Sequence, residues 1–145
     1  MIDGLEIIKK NKTTIAIILR RICRCEGVEF LTPGEYSQQV AFMNHPEGKR
    51  IDAHVHNLIH RNVVMTQEVL IIKKGRLRVD FYDEYEDYLE SRILAEGDVI
   101  LLVSGGHGFK VLEEIEMIEV KQGPYAGDGD KIRFKSVEDS DVRLR

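Results

Sequence analysis

Apolar and polar residues alternate with a period of two over much of this chain. Ile51, Ala53 and Val55 point one way while Asp52, His54 and His56 point the other, which is strand periodicity. Leu77, Val79 and Phe81 alternate in the same way against Arg76, Arg78 and Asp80. Thr13–Arg20 is rich in β-branched residues and reads as a further strand, as do Val28–Leu31 and Ser37–Asn44. Gln67–Lys73 and Val99–Val103 are nearly continuous apolar runs of strand length. Leu5, Ile7 and Ile8 suggest a short strand or a helical turn. No long stretch carries helical periodicity, so the pattern predicts an all-β sandwich or barrel.

Glycine, proline and short polar residues punctuate these runs. Lys73-Lys74-Gly75-Arg76 reads as a tight turn that folds two strands into a hairpin. The acidic, tyrosine-rich stretch Tyr82–Tyr88 reads as a solvated hairpin tip before Leu89–Leu94 returns, and Ala95–Asp98 turns again. Phe109–Leu112 and Glu116–Gln122 are expected as the last two strands, joined near Glu113-Glu114. Residues 126–145 carry many charges and are expected to hug the surface and fray at the end.

Composition narrows the class without naming a function. The 145 residues suffice for one domain with a real core, and the net charge of −4 argues against broad nucleic-acid binding. No apolar run approaches the roughly 20 residues that cross a bilayer. The N-terminus lacks the basic and long apolar regions of a secretory signal, so a cytoplasmic location is expected. Cys23 and Cys25, the only cysteines, read as two reduced thiols, because no second pair completes a structural zinc site.

The candidate chemistry is a metal centre. Imidazole and carboxylate are ligands that divalent first-row metals take. His54 and His56 on one strand face would aim two rings at one point. The strand from Gln67 would bring Glu68 alongside, and the glycine-rich turn after Val103 would bring His107. Four such ligands leave open positions on a six-coordinate ion, which suits chemistry better than structural bracing. His60 and Glu119 are the weaker candidates for a general base. Gln39, Arg61, Lys121 and Tyr125 are candidates to orient an anionic or sugar-like ligand, with Gln38 and Gln122 beside them.

Gly48, His54-X-His56, Glu68 and Gly75 together resemble the first motif of the cupin superfamily, and Gly97, Gly105 and His107 resemble the second. The resemblance covers residues 40–122. The spacer Asn57–Gln67 is much longer than the family's usual one, and Val103 stands where a proline is usual. The resemblance implies a single jelly-roll β-barrel over residues 1–125, with short N-terminal strands and an irregular extension over 126–145. It implies one divalent metal ion (iron, manganese, nickel or zinc) held by His54, His56, Glu68 and His107.

Two functions follow as expectations. The first is an enzyme acting on a small polar molecule, for example a sugar derivative in polysaccharide biosynthesis, by isomerase, epimerase or dioxygenase chemistry. The second is a non-catalytic cup that holds a metal or small ligand. A homodimer is expected, because Ile51, Ala53 and Val55 and the strand Ile15–Leu19 need cover. Neither nucleic acid nor membrane is an expected partner.

Overall fold

The computed structural model describes residues 2–145, and they are nearly all strand, turn and irregular chain. Eight strands follow one another: β1 Leu5–Lys10, β2 Thr13–Leu19, β3 Gly27–Phe30, β4 Ala41–Asn44, β5 Glu68–Tyr82, β6 Tyr88–Ala95, β7 Val99–Leu102 and β8 Gly106–Lys121. Among the described residues the only helical pieces are 3-10 turns at Gly127–Asp130 and Asp139–Asp141. No helix among the described residues is long and apolar enough to cross a membrane. The main sheet is antiparallel and runs β1-β2-β7-β5-β6, with β8 paired to the other edge of β5; β3 and β4 form a separate two-stranded sheet.

The β5–β8 ribbon gives the molecule its shape. A straight strand of the length of β5, 15 residues, would span about 50 Å at about 3.3 Å per residue. Glu68 opens β5 and pairs with Lys121, while His107 pairs with Phe81 near the far end. Yet the Glu68 and His107 side chains touch at 3.1 Å. The ribbon has therefore folded across itself, and the sheet curls into a half-barrel.

Sequence explains where it folds. The buried side of β5 is Glu68, Leu70 and Ile72 before the bend, then Leu77, Val79 and Phe81 after it. The alternation slips by one residue between the two sets. Register shifts fall at Ile72/Lys74, Lys74/Arg76 and Arg76/Leu77. Bulges of this kind bend a strand and raise its twist. Gly75 stands at the bend with φ 85°, and a Cβ there would lie 2.0 Å from the Glu114 carbonyl oxygen. No residue with a side chain fits that place. The outer corner is charged and exposed, and Lys74–Glu114 (2.9 Å) and Arg76–Glu113 (3.3 Å) bridge it. The turn expected at Lys73–Arg76 is therefore a bulge within one strand, and the break expected at Glu113-Glu114 is the matching bend in β8.

The concave face holds the core. Ile18, Ile100, Leu102, Leu70, Ile72, Leu77, Val79, Phe81 and Leu94 are buried together there. A second cluster covers the outer face of the β2–β7 sheet, where Cys23, Leu31, Tyr36, Val40 and Phe42 pack on Ile17, Leu19 and Leu101. The strand Ile15–Leu19 is thus central and covered on both sides by its own chain, between β1 and β7. It offers no surface to a second subunit, contrary to the expectation from its composition.

The C-terminal extension is irregular, but its end is pinned. Phe134 stands edge-on to Tyr82 at 5.0 Å. Arg78 grips Asp80 through two hydrogen bonds (2.8 and 2.9 Å) and reaches Asp139 at 2.8 Å. Residues 143–145 hydrogen-bond to Ser91 and close the outer edge of β6. The end expected to fray is hydrogen-bonded to the barrel, at Ser91 through Arg143 and Arg145 and at Arg78 through Asp139.

Candidate functional site

Bending the ribbon brings a polar cluster to one end of the half-barrel. Glu68 is the first residue of β5 and is 9% exposed. His107, the second residue of β8 and not a loop residue as its glycine-rich neighbourhood suggested, places Nε2 3.1 Å from Glu68 Oε2. The hydrogen bond from His107 holds the Glu68 carboxyl below its ordinary range, against the opposing effect of burial. The positive charge of His107, Lys121 and Lys131 acts in the same direction. Lys121 stands opposite Glu68 in the ladder and 3.9 Å from Asp130, whose other oxygen accepts the Thr66 hydroxyl at 2.8 Å. Phe109 lies beside the His107 ring, centroid to centroid 5.2 Å.

A polar lattice braces the start of β5. The Gln67 side-chain oxygen accepts from the Gln38 amide and the Ser37 hydroxyl, both at 3.1 Å. Gln122 accepts the Gln67 backbone N–H and donates to the Ser37 hydroxyl. Asp130 and Thr66 carried no sequence signal, because each sits in a stretch that reads as solvated loop. Only the return of the chain after β8 brings Asp130 to Thr66 and Lys121.

The other expected ligands are elsewhere. Residues 50–56 form no strand. They belong to an irregular stretch, 45–67, and are exposed throughout. The alternation of Arg50–His56 has no partner strand among the described residues, so the ladder that would fix the face of each side chain is missing. His54 and His56 do come together, with ring centroids 5.3 Å apart, and His54 Nδ1 lies 3.0 Å from the Asp52 carbonyl. His60 and Arg61 are exposed in the same stretch. Gln39 is committed to its own loop, where its amide donates to the carbonyls of Pro33, Gly34 and Tyr36 and accepts the Thr32 hydroxyl. Glu119 shares the concave side of β8 with Met117 and Lys121, opposite Leu70, and is exposed. Tyr125 lines a cavity beside Lys121.

Spacing alone suits Glu68 and His107 to adjacent positions on one ion. Ligands at about 2.0–2.2 Å from a metal and roughly at right angles lie about 3 Å apart. The set stops at two, however. Among the described residues no three His, Cys, Asp or Glu side chains are grouped to hold a metal ion. Two donors fall short of a complete metal centre.

Fold and site together define a class: a curled antiparallel β half-barrel with a half-buried acid–imidazole contact across its open end. The chain matches no protein-family model, no curated protein and no solved structure.

Proposed function

We propose that this chain is a metal-binding protein of cupin type that acts on a small polar molecule, a sugar derivative being the substrate class. Isomerase, epimerase and dioxygenase chemistry all remain within this reading. The observation that supports it is the Glu68–His107 contact. Two residues far apart on one folded ribbon meet inside the half-barrel at a spacing that suits one ion. In this reading Glu68 and His107 are the fixed half of the ligand set. His54 and His56, already side by side on the irregular stretch, are the half that is carried to the ion.

Metal analysis of the full chain after loading with manganese, iron, nickel or zinc tests it. One ion per chain is expected, with affinity lowered about 10-fold or more in Glu68→Gln, in His107→Gln and in the His54→Ala, His56→Ala double variant. A wild type that holds no stoichiometric ion under any loading removes the reading. If the histidine double variant binds as tightly as the wild type, the carried half is wrong while the fixed half stands.

A non-catalytic cup is the second reading. It is favoured by the commitment of Glu68 and His107 to each other, with only two donors in place. Sugar nucleotides and oxoacids separate the two readings, since turnover gives product and a cup gives ligand-dependent stabilisation alone.

A homodimer also belongs to the proposal, on new grounds. The edge of β8 away from β5 is unpaired, and Phe109, Val111, Met117, Ile118 and Val120 on it are each at least 40% exposed. An open edge with this apolar content is what a second copy covers. Light scattering that finds only monomer at micromolar concentration removes it.

A further inference from the structure

Beside the Glu68–His107 pair, the chain leaving β8 wraps a cavity of about 170 Å³. Three cations line it: Lys121, Lys131 and Arg133. Two carboxylates, Asp128 and Asp130, line it as well. They are not equally free. Asp130 is engaged by the Thr66 hydroxyl at 2.8 Å and by Lys121 at 3.9 Å. Lys131 and Arg133 form no ion pair with any carboxylate among the described residues. Cations that face a concave pocket without a partner attract a multi-oxygen anion, and a guanidinium beside an ammonium can bind two of its oxygens at once.

Lys121 links the cavity to the site already described. A neighbouring cavity of about 280 Å³ shares Lys121, Tyr125 and Asp130 with it and is walled by Val63, Val64 and Met65. Lys121 is opposite Glu68 in the ladder. One small molecule could therefore place a polar body near Glu68 and His107, an apolar or ring portion against Tyr125, and an anionic end against the cations. Lys131 and Arg133 lie in a charged extension whose sequence reads as a solvated surface, so composition alone gave no reason to connect them to the barrel mouth.

We propose that Lys121, Lys131 and Arg133 form an oxyanion subsite that binds the phosphate or carboxylate end of the small polar ligand. The anion subsite stands on its own lining. Only the statement that one ligand spans both places rests on the function proposed above. It commits that function to an anionic substrate class.

The test is a titration of the full-length, metal-stripped protein with inorganic phosphate, and separately with acetate, followed by amide chemical shifts. Saturable shifts over 121–133 are expected for at least one anion, and which one saturates first identifies phosphate or carboxylate as the preferred group. The Lys131→Gln, Arg133→Gln double variant replaces two exposed side chains and should weaken that anion by about 10-fold or more. His107→Gln should leave anion binding intact while weakening metal binding. No saturable shift with either anion overturns the subsite, and so does unaltered binding in the double variant. Anion binding without metal binding in the wild type would keep the subsite and remove only the metal reading.

Discussion

Two stretches of this chain carry the same signals and meet different fates. Arg50–His56 alternates, bears two histidines and follows a glycine. The β5–β8 ribbon alternates, bears Glu68 and His107 and contains a glycine. In the ribbon the two backbones pair with each other, and the core-facing residues of β5 are covered: Phe81 is fully buried and Leu70 nearly so. In the 45–67 stretch Val55 is 89% exposed and Leu58 fully so. Alternation specifies which side chains share a face, but a face exists only where a neighbouring strand supplies the hydrogen bonds. Half of the expected ligand set therefore has a frame, and half hangs from a stretch without one.

The largest expected effect lies at a pair of glycines, one in each region. Gly75 and Gly48 have nearly the same left-handed backbone, with φ 85° and 80°. A Cβ at Gly75 meets the Glu114 carbonyl at 2.0 Å, and a Cβ at Gly48 meets nothing within 4 Å. Gly75→Ala should cost more than about 3 kcal/mol by chemical denaturation, because the backbone strain is joined by a clash that the ribbon can relieve only by unbending. Gly48→Ala should cost about 1 kcal/mol, the conformational penalty alone. Equal effects would mean that the bend does not depend on Gly75.

Apolar truncations sharpen the same contrast. Phe81→Ala empties a fully buried place in the concave core and should cost about 3–5 kcal/mol. Leu58→Ala removes a fully exposed side chain and should change stability by no more than about 0.5 kcal/mol. A loss above about 1 kcal/mol for Leu58→Ala would show that the 45–67 stretch is packed in solution, on its own barrel or on a second copy.

The strands were largely legible in the sequence, and their long-range geometry was not. β-branched and alternating runs located β2, β6 and β7 to within a residue or two, because those strands are regular and buried on a fixed face. The tip at Asp83–Asp87 was legible too, since it is a true hairpin. Gly75 misled because a glycine between two alternating runs marks either a turn or a bulge. The phase slip between Leu70/Ile72 and Leu77/Val79/Phe81 does not decide between them, because a two-residue hairpin loop would set Ile72 opposite Leu77 and give the same slip. Glu68 and His107 were legible as candidates from residue type and spacing. Their contact was not, since it arises from the fold of the whole ribbon. Asp130 and Lys131 joined the site through the path of the extension, which leaves no periodic trace.

The smallest effect is the most specific to the site. Glu68 has its carboxyl held low chiefly by the hydrogen bond from His107, so the folded state binds the carboxyl proton less tightly than the unfolded chain does. A depressed folded pKa means that the contact stabilises fully above the unfolded value, near 4.5, and that the stabilisation fades as pH falls through the lowered folded value. Glu68→Gln keeps the size of the side chain and removes the ionised partner. The stability gap between wild type and variant should therefore be present at about pH 6 and close in acid, below both carboxyl values. Glu6 is also held low, by hydrogen bonds from Arg20 and Arg92 that outweigh its burial, but it is present in both proteins and cancels from the difference. Denaturation of the two proteins at several pH values measures the gap directly. A gap that stays constant from about pH 6 into acid would mean that Glu68 and His107 do not meet as an ionised pair in solution, and the fixed half of the site would then be no better framed than the stretch that carries His54 and His56.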